Sequence, residues 1–138
     1  MALIKEMIYQ AERKQEIIFD GKYKGYQVYI LNLGTHPTAY IEIPKESKLF
    51  GLSYDALYEK DIDIDVHGGL TYSNDYLRNI KYDTWFIGWD YAHCNDYCGY
   101  EVRFPEDIRT GGKKWTTEEI LQDAMNAINQ IIEVDKNE

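Results

Sequence analysis

The chain has 138 residues, and its 15 Lys and Arg against 24 Asp and Glu give a formal net charge of −9 at pH 7. This charge excludes a general binder of DNA or RNA, which needs a basic face against the phosphates, and it argues against docking on an anionic membrane. A chain of this length, with 44% hydrophobic residues, can bury a core of its own. Residues 1–138 are therefore predicted to form a single domain.

Neither a membrane span nor a signal peptide is predicted. No apolar run approaches the roughly 18 residues that a span needs, and the first residues include acids and lack an apolar signal core. The two cysteines, Cys94 and Cys98, are too few for a disulfide framework. We therefore expect a protein of the reducing cytoplasm.

The first third of the chain predicts a short helix followed by three strands. Apolar side chains recur at helical spacing in residues 2–12, which predicts one or two amphipathic helical turns. Residues 16–20 and 26–33 predict a β-hairpin, because a glycine-containing turn separates two runs of β-branched and aromatic residues. Residues 38–43 alternate apolar and polar side chains and predict a third strand, which Pro44 ends.

The middle of the chain contains the cleanest alternation of apolar and polar residues. A short helix is predicted at residues 53–58, and residues 61–67 are predicted to form a strand with its three apolar side chains on one face. Residues 73–83 are polar and are predicted to form a loop. The other face of the predicted strand carries Asp61, Asp63, Asp65 and His67.

An aromatic strand and a loop-rich stretch follow. Residues 84–91 are predicted to form a strand with Trp85, Ile87, Trp89 and Tyr91 on one face. Residues 92–114 predict loops with a short strand at residues 100–104.

The C-terminus predicts a long amphipathic helix. Thr116 followed by Glu119 has the spacing of a capping box, and Trp115 can pack on Ile120 as a hydrophobic staple. Apolar residues then mark one helical face to about residue 133. The predicted fold class is α+β, a mainly antiparallel sheet packed against the C-terminal helix.

Three stretches contain residues that could carry chemistry. Gly68 and Gly69 follow a predicted strand, where glycine lets the backbone approach a ligand; a simple bend beside a surface histidine is the alternative. The aromatic stretch 85–98 contains acids, a histidine and both cysteines, which suggests a metal site or, with less support, a cysteine nucleophile beside His93; a Trp-rich core seam is the alternative. The third stretch is basic and precedes a helix N-terminus, which favours a phosphate; a solvated loop is the alternative. Its basic residues are Arg103, Arg109, Lys113 and Lys114.

Two strings, VHGGLTYS at residues 66–73 and WFIGWDYAHCNDY at residues 85–97, precede a helix that begins Trp-Thr-Thr-Glu-Glu. They resemble a group of small phage and prophage proteins that often carry Val-His-Gly-Gly-Leu-Thr-Tyr and Trp-x-x-Gly-Phe-Asp-x-Ala-His-x-x-Asp. The likeness extends over about residues 20–132, although Trp89 stands where the group more usually has Phe and Asn95 stands where Gly is common. The group is similar to phage anti-defence "sponges", which bind cyclic nucleotide signals of bacterial immunity and hold them away from the host effector.

This resemblance implies a non-catalytic protein that sequesters a cyclic nucleotide in the host cell cytoplasm, with no cofactor. The expected partner is a small anionic nucleotide, and neither a nucleic-acid polymer nor a membrane is expected. A homodimer or larger ring is expected, because trapping a ligand between subunits is the simplest route to roughly nanomolar affinity for a small chain. The expected ligand-binding residues are His67, Gly68, Gly69, Thr71, Tyr72, Trp85, Trp89, Asp90, His93, Arg109, Lys113 and Lys114.

Their expected roles follow from side-chain chemistry. Aromatic rings would stack on a base, basic side chains would contact phosphates, and His67, Thr71, Asp90 and His93 would hydrogen-bond to the base or ribose. Two other functions stay open. One is a metal-dependent hydrolase with His67, Asp90, His93 and Asp96 at its centre. The other is direct inhibition of a host defence protein through the acidic face of Asp61, Asp63 and Asp65.

Overall fold

A computed structural model describes residues 3–99 and 112–137. Its described residues contain a six-stranded sheet in the order β1-β2-β3-β4-β6-β5, in which every neighbouring pair is antiparallel. The predicted α+β class is confirmed. The elements are β1 (Leu3–Ile4), β2 (Glu16–Tyr23), β3 (Tyr26–Asn32), β4 (Pro37–Ile43), α1 (Tyr54–Glu59), β5 (Tyr72–Leu77), β6 (Lys81–Asp90) and α2 (Thr117–Lys136).

Helix α2 covers one face of the sheet and forms the main core with it. The predicted capping box is present: the Thr116 side chain accepts a hydrogen bond from the Glu119 backbone, and the Glu119 side chain accepts one from the Thr116 backbone. Burying a side chain of isoleucine size contributes roughly 1.5–3 kcal/mol, so the apolar stripe is the main attachment of the helix. The stripe consists of Ile120, Ala124, Ala127, Ile128 and Ile131, all fully buried.

Strand β6 divides its side chains between the two faces as predicted. Trp85, Ile87 and Trp89 pack into the core beneath α2, whereas Phe86 joins a smaller cluster on the opposite face. That smaller cluster lies on the sheet face that α2 leaves uncovered. Its buried members are Tyr29, Leu31, Tyr40, Leu77 and Phe86.

The predicted helix at residues 2–12 is wrong. β1 pairs with the edge of β2, and an irregular segment follows in which Met7 is buried while Ile4 and Ile8 are 64% and 68% exposed. The backbone of this segment hydrogen-bonds to the sheet and its loops, for example from Lys5 N to Ile18 O at 2.7 Å. An open sheet edge therefore satisfies backbone groups that a short isolated helix would satisfy poorly.

The predicted strand at residues 61–67 is also wrong, although its pattern of burial is correct. Ile64 and Val66 are buried and Asp63 and Asp65 are exposed, but the segment pairs with no strand among the described residues. Its partner is a helix side chain: Gln130 accepts from Asp65 N at 2.7 Å and donates to Asp65 O at 2.9 Å. The amide of Gln130 replaces the neighbouring strand, so alternation identifies the buried face without identifying the backbone partner.

The predicted polar loop at residues 73–83 is wrong as well, because β5 and the start of β6 occupy it. Polar residues are tolerated there because β5 is an edge strand with one side in solvent. The strand predicted at residues 100–104 lies outside the described residues. No helix in the described part of the chain is long and apolar enough to cross a membrane.

Candidate functional site

The first polar cluster lies where the loop after β6 meets the start of α2, and its centre is the buried carboxylate of Asp96. Asp96 Oδ2 accepts from His67 Nε2 at 2.8 Å and from the His93 backbone at 2.9 Å, and Asp96 Oδ1 accepts from Trp115 Nε1 at 2.9 Å. Each carboxylate oxygen therefore has a partner. We call His67, Tyr91, His93, Asp96 and Trp115 the His67 cluster.

Aromatic stacking holds the His67 cluster together. The His67 ring lies parallel to the Tyr91 ring, with centroids 4.8 Å apart and an interplanar angle of 4°, and Trp115 packs 4.7 Å from it. Tyr91 donates to Asp123 on α2 at 2.6 Å. Burial and this carboxylate raise the pKa of Tyr91 far above its usual range, so its hydroxyl stays a neutral donor.

The two glycines after residue 67 serve this cluster. Gly68 and Gly69 have φ angles of +70° and +81°. A Cβ on Gly68 would lie 2.2 Å from His93 Nε2, whereas a Cβ on Gly69 would meet open space. The close approach expected of this pair thus occurs at Gly68, and the group that approaches is the chain's own imidazole.

The four residues considered for a metal centre form two separate pairs. His67 is paired with Asp96, and His93 Nε2 lies 3.1 Å from Asp90 Oδ1 without the alignment of a hydrogen bond. Among the described residues, no group of three or more His, Cys, Asp and Glu side chains could hold a metal ion. The hydrolase alternative therefore gains no support from this geometry. Cys94 is exposed and Cys98 is buried, so burial limits the access of a substrate to Cys98.

The two tryptophans of β6 do not offer free rings to a base. Trp89 is 1% exposed, and its indole donates to the Tyr91 hydroxyl at 3.0 Å within the core. Trp85 is half-buried, packs against the same core and donates to Leu52 O at 3.2 Å. Trp89 therefore has almost no exposed ring surface on which a base could stack, because it is packed in the core. The alternative of a Trp-rich core seam describes this strand face.

The basic residues expected to hold phosphates also have other contacts. Lys113 Nζ lies 2.7 Å from Glu119 Oε2 and 3.9 Å from the centre of the Trp115 ring. Lys114 Nζ lies 4.7 Å from the centre of the Tyr97 ring. Arg103 and Arg109 lie outside the described residues. Lys113 is therefore neutralised by a partner on α2.

A second polar site, a cavity of about 240 Å³, lies at the end of the sheet where β4 begins and β6 ends. Thr38 on β4 is the register partner of Asp90 on β6, and Thr71 Oγ1 donates to Asp90 Oδ2 at 3.3 Å. Asp90 therefore links this cavity to His93 of the first cluster. We call the cavity the rim pocket; its lining residues are Leu33, His36, Thr38, Tyr40, Thr71, Tyr72, Arg78, Trp89 and Asp90.

Two polar groups of the rim pocket have no hydrogen-bond or ion-pair partner in the part of the chain that the structure describes. Thr38 is 5% exposed, and its Oγ1 is buried without a hydrogen-bond partner among the described residues. Arg78 is exposed in the turn between β5 and β6 with a φ of +46°, and it forms no ion pair with any residue that the structure describes. An unpaired buried hydroxyl costs about 1–3 kcal/mol, which a ligand that hydrogen-bonds to it would recover.

Aromatic and imidazole rings complete the walls. Tyr72 packs edge-on against Tyr40 with centroids 5.3 Å apart and donates to the backbone carbonyl of Tyr76. Burial raises the pKa of Tyr72 to about 12, so this hydroxyl is neutral at physiological pH. Burial also lowers the pKa of His36, and the charges of Arg13 and Arg78 lower it further against the opposing effect of Asp90.

Seven of the twelve predicted ligand-binding residues lie at these two places. Thr71, Tyr72, Trp89 and Asp90 line the rim pocket, although Trp89 is almost fully buried. His67, Gly68 and His93 belong to the His67 cluster. Besides the apolar Leu33, sequence reasoning missed four pocket residues, all with polar side chains. Two cues were available for them: His36 lies in a turn beside a proline, and the pair Thr38 and Tyr40 alternates with buried Ala39. The missed residues are His36, Thr38, Tyr40 and Arg78.

Comparison of the chain with protein-family models, with curated proteins and with solved structures finds no match. The two polar sites are therefore interpreted from their own contacts. Each site contains one buried polar atom without a hydrogen-bond partner among the described residues, His93 Nε2 in the cluster and Thr38 Oγ1 in the pocket. His93 Nε2 lies 3.1 Å from the Asp90 carboxylate, whereas the pocket adds Arg78, which forms no ion pair with a described residue. The rim pocket is therefore the better candidate for an anionic ligand.

Proposed function

We propose that this protein binds a small anionic nucleotide in the rim pocket and holds it without cleaving it. The observation that carries this proposal is the buried, unpaired Oγ1 of Thr38 in a pocket that Arg78 also lines. Buried polar side chains in folded proteins nearly always have a partner. An exception beside a guanidinium that forms no ion pair with a described residue therefore favours a ligand. The ligand would be an acceptor of hydrogen bonds and negatively charged.

The chemistry of the remaining walls favours a nucleotide over a simple anion. The Arg78 guanidinium presents a fork of donors that matches phosphate geometry. Tyr72 and Tyr40 supply ring surface against which a base can pack. Asp90 is a carboxylate acceptor at the wall, and a ribose hydroxyl or a base amino group can donate to it. Inorganic phosphate would pair with the Arg78 guanidinium, but the Asp90 carboxylate would repel it.

The size of the pocket supports a ligand shared between two copies of the chain. Its volume of about 240 Å³ is below the roughly 300–1,000 Å³ typical of complete small-molecule sites. A pocket of this size suits one nucleotide unit of a larger cyclic ligand. A homodimer would enclose the other unit, and burial between subunits is how a roughly nanomolar affinity, about −12 kcal/mol, becomes reachable.

The biological role follows from the resemblance of the two sequence strings. It is sequestration of a cyclic nucleotide immune signal by a phage-type anti-defence protein in the host cell cytoplasm. Such a protein competes with a host effector by affinity, and a nucleotide pocket without an assembled metal group among the described residues fits binding better than hydrolysis.

The test is incubation of the purified protein with a panel of cyclic dinucleotides and cyclic ADP-ribose isomers. Free ligand is measured by liquid chromatography before and after the protein is removed and again after heating releases the ligand. We expect depletion of at least one ligand and its recovery intact, with a higher melting temperature by mass action. A chemically altered product would replace this proposal with an enzyme, and no depletion across the panel would reject it.

Two variants test whether the ligand binds in the rim pocket. Removing a hydrogen bond to a charged group costs about 1.5–3 kcal/mol, so Arg78→Gln should weaken binding by roughly 10- to 100-fold. Thr38→Val should also weaken it, because the methyl group cannot donate. Lys24→Gln is the matched control, since Lys24 has a similar φ of +50°, carries the same charge and lies in a different turn. If both pocket variants bind the ligand with wild-type affinity, the ligand binds outside the rim pocket.

A further inference from the structure

A second concave surface lies between α1 and the extended segment that follows it, and it shares no residue with the rim pocket. It is a groove of about 740 Å³, large enough for several side chains of a partner. We call it the acidic groove. Its lining includes Leu57, Tyr58, Asp61, Ile62, Asp63 and Leu70.

The floor of the acidic groove is apolar and one of its walls is an exposed aromatic ring. Leu57 and Ile64 belong to the core, and Ile62 and Leu70 are packed against it while still partly exposed. Tyr58 is 83% exposed, the largest exposure among the large hydrophobic side chains reported for the described residues. A ring left in water beside an apolar floor is typical of protein interaction sites, where tyrosine is a frequent anchor.

The rim of the groove is formed by four carboxylates. Asp55, Glu59, Asp61 and Asp63 are exposed, and none forms an ion pair with a residue that the structure describes. Some acids elsewhere are paired: Glu42, for example, lies 2.8 Å from Lys81. Four exposed carboxylates that form no ion pair with a described residue therefore surround an apolar groove.

We propose that the acidic groove docks an amphipathic segment of a partner protein that places leucine-like side chains on the floor and Lys or Arg side chains on the rim. Charge complementarity selects this occupant. A nucleic acid would be repelled, and a metal ion lacks a ligand set, since no three acidic or histidine side chains among the described residues are arranged for one. The inference is independent of the nucleotide proposal, because the two surfaces have no residue in common.

The probe is a fluorescein-labelled 12-residue peptide of Leu and Lys with all Leu on one helical face. Binding is measured by fluorescence anisotropy at low and high salt. Two control peptides have Glu in place of Lys and Ser in place of Leu. We expect saturable binding of the Leu/Lys peptide that weakens with salt and at least tenfold weaker binding of both controls. Equal binding of the Ser/Lys peptide would show attraction to the net charge alone and would overturn the proposal.

Matched variants separate the groove from the overall charge of −9. Asp61→Asn with Asp63→Asn removes two rim charges, and Asp75→Asn with Asp83→Asn removes two exposed charges outside the groove. Asp61 and Asp83 share a φ of +58°, which asparagine tolerates, so both double variants should fold alike. We expect about a fivefold loss of peptide affinity in the groove variant and less than twofold in the control. Equal losses would overturn the proposal.

The aromatic wall gives a test that does not depend on charge. Tyr58→Ala should weaken peptide binding at least tenfold, as for an interface anchor, and Tyr82→Ala should not. Tyr82 is 60% exposed and lies on β6 outside the groove. Amide chemical shifts in the wild type should change on peptide addition mainly in residues 54–70. Shifts centred elsewhere, or no binding at all, would reject the groove as the docking site.

Discussion

The His67 cluster and the rim pocket are neighbours joined through Asp90, yet the buried Asp96 of the cluster and the buried Thr38 of the pocket differ in how they are paired. In the cluster, the 5%-exposed Asp96 accepts three hydrogen bonds from within the chain. In the pocket, the equally buried Thr38 has no partner for its hydroxyl among the described residues. Paired groups of this kind stabilise a fold, and an unpaired one calls for an explanation. The comparison separates the carboxylate of Asp96, which maintains structure, from the hydroxyl of Thr38, which is available to a ligand.

One sequence string supplies both regions. The first half of VHGGLTYS gives His67 and Gly68 to the cluster, and its second half gives Thr71 and Tyr72 to the pocket. A short motif rich in polar residues is therefore not a single site. The following predictions test whether the two halves separate in experiment.

The largest expected effect is the loss of stability in Asp96→Ala. Removing the carboxylate leaves His67 Nε2, the His93 N–H and Trp115 Nε1 without an acceptor. Breaking such a buried network costs about 3–5 kcal/mol of unfolding free energy, measured by urea denaturation.

Two substitutions calibrate that loss. Asp96→Asn retains an acceptor oxygen and should lose less. Asp75→Ala, at an exposed position on β5, should change stability by less than about 0.5 kcal/mol. If Asp96→Ala unfolds at the wild-type urea concentration, the cluster is not a structural network.

The second effect comes from the paired glycines. Gly68→Ala should destabilise the fold by about 2–4 kcal/mol, because it combines a positive φ with a Cβ 2.2 Å from His93 Nε2. Gly69→Ala has the same backbone strain and open space around its Cβ, so it should cost only about 1 kcal/mol. Equal losses in thermal or urea unfolding would mean that the His93 ring moves aside freely.

The third effect has the opposite sign. Thr38→Val replaces a buried unpaired hydroxyl by a methyl group of similar shape, so stability should stay the same or rise by up to about 1 kcal/mol. Thr117→Val is the matched control, because the buried Thr117 hydroxyl donates to Lys5 O at 2.6 Å. This variant should lose about 1 kcal/mol of unfolding free energy. Destabilisation of Thr38→Val beyond that of the control would imply an internal partner for Thr38 and would weaken the pocket proposal.

The parts of the fold that sequence predicts well are those with local causes. The start of α2 depends on Thr116 and on Glu119, three residues later. Both hydrogen bonds of this capping box form as predicted. The segment 61–67 shows the limit of such reasoning. Its alternation records which side chains are buried, but its hydrogen-bond partner is Gln130, about 65 residues away along the chain. No local pattern identifies a partner that the fold brings from that distance.

The candidate site follows the same division. Thr71 and Asp90 stand beside recognisable features, a glycine pair and an aromatic strand, and sequence reasoning found them. Thr38 and Arg78 come from two other segments, and only the register of β4 on β6 and the β5–β6 turn bring them to the same pocket. Strand register is a long-range property, so these residues could not be placed from the sequence.

The smallest effect is a pH dependence at His36. Burial lowers the pKa of His36 in the folded state, so the unfolded chain, with its ordinary pKa near 6.5, binds the proton more readily. Protonation therefore favours unfolding, and the contribution of His36 to stability is lost as pH falls below about 6.5. The free energy of unfolding, measured with urea, should be lower at pH 5.5 than at pH 7.5. This decrease should be smaller in His36→Gln than in the wild type, and the difference between the two decreases should be below the loss expected for Thr117→Val.

The same imidazole reports on the pocket. An anion bound beside Arg78 would offset the positive charges that lower the pKa of His36, so this pKa should rise when the ligand is added. By linkage, the ligand should then bind more tightly as pH falls through that range. Nuclear magnetic resonance titration of the His36 ring, with and without ligand, measures both values. An unchanged pKa in the presence of a bound nucleotide would place that nucleotide away from His36 and would leave the unpaired hydroxyl of Thr38 without an explanation.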